Sequence, residues 1–303
     1  MRGRLVFLGT SAGVPTGRRG LPSIALRWGG DLLLFDCGEG TQRQMAIAGV
    51  GFSSEMKVFL THMHGDHVLG LPGLLMTMSL IGRKERVQLF GPPGLSEFIE
   101  STLPSIRRGL TFDVTISEVD GRGEICRGKD YSVQTESGDH HGKSQAYAFA
   151  EDMKRGRFDV EKARRLGVGE GPERSLLIMG EVLKLKDGRT VKPNDVVGPP
   201  RPGVRVVYTG DTRYSERITK FSENADILIH DSTFDESLSA DAAETFHSTC
   251  VDAARVANEA KVKRLFLFHI SARYQDPSVL IAQARNHFQK VEVAEDFTYC
   301  DIP

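Results

Sequence analysis

The sequence predicts an α/β fold: two strand-and-helix halves around one shared site, with a segment of different character inserted between them. Three observations carry this. Short apolar, strand-like runs alternate with helical runs along most of the 303 residues. His and Asp residues recur just beyond the C-terminal ends of those runs in both halves, where an α/β sandwich would gather a site. Between Glu151 and Gly203 the pattern gives way to charged sequence punctuated by Gly and Pro.

Arg4 to Leu8 reads as a strand, followed by the Gly-rich stretch Gly9 to Pro15. Ser23–Trp28 and Asp31–Phe35 alternate around Gly29-Gly30 and predict a hairpin. Thr41 to Ala48 predicts a helix capped by Thr41. A buried strand over Met56–Leu60 leads to a loop, then a Leu- and Met-rich helix over about 71–80. Val87–Phe90 is a further strand, and a helix is expected from about Leu95 to Leu103. Ala146–Ala150 is an apolar run after Asp139-His140-His141-Gly142. In the second half, strands at Val204–Tyr208, Ile227–Ile229 and Leu265–Phe268 end in Asp211, His230-Asp231 and His269, with a helix over Val251–Ala260. Within the inserted segment, Phe158–Leu166 reads as a short amphipathic helix, and Leu176–Ile178 is expected to pair with Val182–Leu185 around Met179-Gly180-Glu181. The segment has a modest basic excess, including Lys184, Lys186, Arg189 and Lys192, and reads as an insertion projecting from the core.

The densest chemical signal is Thr61-His62-Met63-His64-Gly65-Asp66-His67, directly after an apolar strand. Imidazole and carboxylate are the donors zinc takes when it keeps a position open for water. One cation does not comfortably accept all four side chains from so tight a loop. His62 and His64 can turn to one side and Asp66 and His67 to the other, with Gly65 allowing the reversal. The spacing therefore suggests two adjacent metals, each needing further ligands from elsewhere.

Composition excludes several classes. A formal charge of −1 argues against a wholly basic nucleic-acid binder, leaving room for a local patch. No apolar run is long enough to span a membrane, and the opening Met1-Arg2-Gly3-Arg4 carries no signal-peptide pattern. Cys37, Cys126, Cys250 and Cys300 are widely spaced without a CxxC pair. A reduced, cytoplasmic protein without a disulfide framework is expected.

Several stretches together resemble the metallo-β-lactamase superfamily and, within it, the ribonuclease Z family of tRNA 3′-processing endonucleases. The HxHGDH loop from His62 to His67 is similar to that of the superfamily. Leu8 to Pro15, Phe35-Asp36-Cys37-Gly38-Glu39-Gly40-Thr41-Gln42 and Gly65 to Leu75 are similar to ribonuclease Z segments. So are His247-Ser248-Thr249 and His269-Ile270-Ser271-Ala272-Arg273-Tyr274. The inserted segment resembles the family's flexible tRNA-binding arm, including its Gly171-Pro172 turn. Two stretches depart from the family pattern. Its PxKxRN loop reads Pro15-Thr16-Gly17-Arg18-Arg19-Gly20, and its HEAT motif reads His230-Asp231-Ser232-Thr233.

The resemblance implies the metallo-β-lactamase αβ/βα four-layer sandwich, one domain over 1–303 with a projecting tRNA-binding arm inserted at 151–203. It implies two zinc ions per subunit. His62, His64 and His141 would hold one, Asp66, His67 and His269 the other, with Asp211 bridging. His141 is preferred to His140 because the family ligand directly precedes a Gly. Asp66 would also orient the attacking water or accept its proton. His247, oriented by Asp231, would be the general acid for the departing ribose oxygen. Arg273 and Tyr274 would bind phosphate, position His269 or form a structural ion pair; His230 would support the site or be simply buried. The implied activity is removal of the 3′ trailer from precursor tRNA, leaving a 3′-hydroxyl on the tRNA and a 5′-phosphate on the trailer. The implied assembly is a homodimer. A small-substrate metallo-phosphodiesterase of the same fold is the alternative reading.

Overall fold

The structure is a computed structural model that describes residues 3–52, 55–102 and 109–302. It divides into two compact units, Met1–Ala150 with Val204–Pro303, and Glu151–Gly203.

The first unit is built on two seven-stranded sheets. One runs Tyr299–Ile302, Gly3–Gly9, Ser23–Trp28, Asp31–Phe35, Glu55–Phe59, Val87–Gly91 and Val114–Glu118. The other runs Val291–Val293, Leu265–Phe268, Ile227–Asp231, Arg205–Tyr208, Gln145–Glu151, Tyr131–Ser137 and Gly123–Arg127. The hairpin expected around Gly29-Gly30 is present, with Trp28 opposite Asp31. Each sheet pairs four consecutive strands in parallel, beginning at Asp31–Phe35 in the first and Arg205–Tyr208 in the second. Parallel strands buried on both faces need near-continuous apolar sequence, which Leu32-Leu33-Leu34-Phe35 and Leu265-Phe266-Leu267-Phe268 supply.

Three cores account for the layers. Between the sheets, Phe7, Phe35, Phe59, Tyr147, Phe149, Tyr208 and Phe268 pack together. Phe59 stacks on Phe35 and Phe90 at 5.3 and 5.0 Å between ring centroids, a geometry that adds to simple area burial. The outer face of the first sheet is covered by helices Thr41–Ile47, Gly70–Leu80 and Leu95–Thr102 through Met45, Leu71, Leu74, Leu75, Met78 and Ile99. The second sheet is covered by Glu216–Phe221, Cys250–Glu259 and Ser278–Arg285 through Ile218, Ala253, Ala257 and Leu280. Helix, sheet, sheet, helix is the αβ/βα sandwich. All four cysteines are free thiols.

Two local expectations change. Thr41 does not cap its helix: Gly40, at φ 83°, occupies the cap, and the Thr41 hydroxyl donates to the Gly38 carbonyl at 2.7 Å. The helix expected to reach Leu103 is described over Leu95–Thr102, and Leu103 lies outside the described residues.

The second unit has its own small core of Ala163, Val168, Leu177, Leu183, Val191 and Val196. Its helix Val160–Leu166 is capped by the Asp159 carboxylate, which accepts from Lys162 N at 2.8 Å. The expected pairing of Leu176–Ile178 with Val182–Leu185 is corrected. Leu176–Ile178 belongs to the helix Pro172–Met179, and Leu183–Lys184 pairs instead with Thr190–Val191. Pro172 in the first turn and left-handed Gly180 just past the end punctuate that helix.

Candidate metal centre

The site forms beyond the carboxyl ends of the parallel strands of both sheets, where open α/β sheets bind ligands. Glu55–Phe59 delivers Thr61 to His67, Arg205–Tyr208 delivers Asp211, Ile227–Asp231 ends in Asp231, and Leu265–Phe268 delivers His269. Glycine lets these loops close on one another. Gly210 sits at φ 60°, and a Cβ there would come within 2.7 Å of Thr61 Cβ. At Gly70 a Cβ would meet the Gly38 carbonyl oxygen at 1.8 Å, so only glycine lets that helix start against the Asp36–Gly38 turn.

Two groups of donors share the carboxylate of Asp211. His62, His64 and His140 lie close enough to hold one ion, and Asp66, His67 and His269 close enough to hold another. Asp211 Oδ2 is 3.6 Å from His62 Nε2 and 3.3 Å from Nε2 of both His67 and His269. Asp66 Oδ2 is 3.5 Å from His67 Nε2 and 3.4 Å from His269 Nε2, and accepts from Gly13 N at 2.9 Å.

The preference for His141 is corrected. His140 is buried, with its Nε2 at 3.3 Å from His64 Nδ1, whereas His141 is exposed and packs on Phe246. Adjacent side chains in an extended segment point to opposite sides, and here the inward one is His140. Position relative to Gly142 does not decide it.

The other ring nitrogen of four of these histidines is held by a partner that fixes the ring's orientation. His67 Nδ1 donates to Asp36 Oδ2 at 2.8 Å, and His140 Nδ1 donates to the Phe246 carbonyl at 2.7 Å. His62 Nδ1 meets Thr61 Oγ1 at 3.0 Å, and His269 Nδ1 meets Thr233 Oγ1 at 2.9 Å. Both hydroxyls give their own proton to a carboxylate, Asp36 and Asp231 respectively, so the imidazoles donate and turn their Nε2 lone pairs inward. His62 Nε2, His67 Nε2 and Asp211 Oδ1 are then buried with no hydrogen-bond partner among the described residues. Burial pushes His62, His64 and His140 below the usual imidazole range, into the neutral form that ligates. Orphaned lone pairs converging on a buried carboxylate fit a divalent metal, because an unsatisfied buried polar group is otherwise costly.

Asp36 carries a role that sequence reasoning does not assign. It is fully buried at φ 57° and accepts from Thr61 N, Thr61 Oγ1, Tyr208 OH and His67. Its one signal is shared with Asp211: a carboxylate just after an apolar strand. Thr233 is likewise unassigned from sequence, although it joins Asp231 to His269.

His247 stands beside the donors. Its Nδ1 is 2.7 Å from Asp231 Oδ2, and its ring stacks on that of His269 at 5.1 Å. Burial alone would lower its pKa. The hydrogen-bonded Asp231 carboxylate overrides that and holds it up to about 9. Asp231 is steadied by Thr212 N and Thr233 N, so the shorter carboxylate still reaches the imidazole. Thr249 caps the helix Cys250–Glu259 through a capping box with Asp252, which fixes the chain just after His247.

Tyr274 OH donates to Asp235 Oδ2 at 2.9 Å and accepts from Asp235 N at 2.8 Å. Arg273 lies over the Phe234 ring at 5.0 Å. His230 is buried and bonds the Asp231 carbonyl through Nδ1. No helix of the described residues is long and apolar enough to cross a membrane.

Four layers of this order with a His- and Asp-lined centre at the strand ends define a metallo-β-lactamase-fold hydrolase. Residues 195–270 match the beta-lactamase superfamily domain, and residues 3–111 match the family described as anti-Pycsar protein Apyc1. The chain belongs to the ribonuclease Z family. It is 46% identical to a ribonuclease Z of Myxococcus xanthus, over 99% of this chain and 98% of the relative. It is 45% identical to one of Natronomonas pharaonis, with the same two coverages. Its fold is similar to the crystal structure of human tRNase Z, short form, with a TM-score of 0.72, 27% identity and 99% of each chain covered.

Proposed function

We propose that this protein is a zinc-dependent endoribonuclease that removes the 3′ trailer from precursor tRNA, leaving a 3′-hydroxyl on the tRNA and a 5′-phosphate on the trailer. The convergence of His62, His64 and His140 with Asp66, His67 and His269 around Asp211 supports it most directly. In this reading the first three side chains would hold one zinc ion and the second three another, with Asp211, which lies beside His62, His67 and His269, serving both sets. Bound zinc would supply a nucleophilic water at neutral pH and neutralise charge on the attacked phosphate.

The remaining work falls to the chain. Asp66 orients the attacking water and accepts its proton. Gly13 N, which donates to its Oδ2, holds that carboxylate in place, and the neighbouring His269 and His67 imidazoles hold it well below the usual carboxylate range despite burial. The leaving ribose 3′-oxygen needs a proton, which His247 carries. Its Nδ1 proton is engaged by Asp231, so the proton to be given is the one on Nε2. A pKa of about 9 keeps this acid form present at neutral pH.

The segment 151–203 is proposed as a tRNA-binding arm. It holds twelve Lys and Arg against nine Asp and Glu. Arg164, Arg174 and Arg189 pair with acids of the same segment, at Glu161, Glu170 and Asp187. Lys162, Arg165, Lys184, Lys186 and Lys192 have no ion pair among the described residues, which leaves their charge for phosphates. A cytoplasmic homodimer completes the proposal. Ile47, Met76, Leu80 and Ile81 are exposed apolar side chains on or next to two adjacent helices, which supports such an interface.

The test is to incubate the purified protein with end-labelled precursor tRNAs, with and without encoded CCA, and to map both product ends. Cleavage at the trailer junction supports the proposal. Hydrolysis of small phosphodiesters with intact precursor tRNA would point to the small-substrate alternative.

A further inference from the structure

Three segments of the site are tied together by a group outside its donor set. Phe246 immediately precedes His247, and its carbonyl accepts the Nδ1 proton of His140 at 2.7 Å. Its backbone is left-handed, at φ 58°, a conformation that a bulky residue keeps only when its surroundings impose it. Those surroundings are explicit. The Arg213 guanidinium carbon lies 4.0 Å from the centroid of the Phe246 ring, close enough for a cation–π interaction. The His141 ring packs against the same ring at 4.1 Å between centroids, tilted 51°. Arg213 is itself held by both oxygens of Asp139, at 3.1 Å from Nη2. The two loops are joined again where Arg213 N donates to the Asp139 carbonyl at 3.0 Å and Asp139 N to Thr212 Oγ1 at 3.0 Å.

We infer that Phe246 is a positioning residue for the metal centre: clamping its ring between Arg213 and His141 fixes the carbonyl that holds His140 against His62 and His64. This rests on the metal-centre reading above. The acceptor on the outer nitrogen of a ligating imidazole sets its tautomer and its aim, and losing such a partner typically weakens metal binding about 10–100-fold. Here the acceptor is a main-chain carbonyl, so no side-chain substitution deletes it. What a substitution removes is the ring that keeps the carbonyl turned inward. The exposed His141 thereby acquires a task beside its buried neighbour, without being a ligand.

The experiment is a chelator titration of the zinc-loaded full chain, reading metal released, alongside thermal melting and the kinetics of a nitrophenyl phosphodiester. Phe246→Ala loses the ring and keeps the backbone strain. Phe246→Gly loses the ring and relieves the strain. Both should surrender metal at about 10–100-fold lower chelator concentration than the natural chain, with kcat reduced and KM little changed. Phe246→Tyr keeps an aromatic ring and should restore retention. Arg213→Gln, which leaves Phe246 in place, should shift retention in the same direction and provides the answer should the Phe246 variants fail to fold. Natural-level metal retention in Phe246→Gly or in Arg213→Gln overturns the inference while leaving the metal centre standing. A natural chain that binds no metal overturns both.

Discussion

The two units of this chain solve different problems with different materials. In the first, the donors sit at strand ends, mostly buried, with four of the imidazoles aimed by fixed partners. Stacked aromatics such as Phe35, Phe59 and Phe90 support the strands that deliver them. In Glu151–Gly203 the core is a handful of aliphatic side chains, and the residues proposed to act are lysines and arginines on its surface. Chemistry needs atoms held to fractions of an ångström, whereas phosphate affinity needs only charge within reach. On the proposed assignments, turnover and substrate affinity reside in separate units, so each should be removable without the other.

The largest expected effect breaks the first unit alone. His67→Ala and His140→Ala should abolish hydrolysis of both precursor tRNA and small phosphodiesters, while tRNA binding, read by gel retardation, persists. His141→Ala should cost less than His140→Ala by more than about tenfold, because only His140 reaches the other donors. Metal content by elemental analysis accompanies each variant, and equal losses at 140 and 141 would undo the assignment.

Next in size is the proposed general acid. His247→Ala should slow precursor cleavage about 10²–10⁴-fold, and should slow a nitrophenyl diester less, because that leaving group needs little protonation. The acid form exists below its pKa, so activity should fall as pH rises through that value. Asp231→Asn removes the carboxylate that raises it, and the alkaline fall should move to lower pH. A pH profile that does not move denies Asp231 this role.

Smaller and confined to the second unit is Leu177→Ala. Leu177 is fully buried in that unit's core, and its truncation typically removes about 2–5 kcal/mol. The expected outcome is a raised KM for precursor tRNA with small-diester kinetics untouched. Loss of both activities would mean that the units are not separable. Smallest is Thr249→Ala, which removes the cap of Cys250–Glu259 at a cost of about 1 kcal/mol. It should lower the melting temperature modestly in a thermal scan.

The same contrast decides what is legible in the sequence. The strands of the first unit are continuous apolar runs, and the hairpin Ser23–Trp28 with Asp31–Phe35 is readable to the residue. The loop from His62 to His67 is legible because its four donors fall within six residues, and Asp211 and His269 because each follows such a strand. His140 is not, since two adjacent histidines offer the same chemistry and only backbone direction separates them. Asp36 escapes because a residue that aims a ligand has no signature of its own. In the second unit, Leu176–Ile178 reads as a strand and folds as a helix: its run is short and apolar, which periodicity alone does not resolve. Pro172 at the start and Gly180 at the end are the better signals.

One measurement tests the division of labour directly: steady-state kinetics of a chain lacking about Gly169 to Gly198, on precursor tRNA and on a nitrophenyl phosphodiester, across a salt series. The deletion should raise KM for precursor tRNA greatly and leave turnover of the small diester unchanged. The log–log salt dependence should flatten by about 0.9 for each duplex phosphate that the deleted segment no longer neutralises. Precursor cleavage that keeps its KM and its salt slope after the deletion would contradict that division.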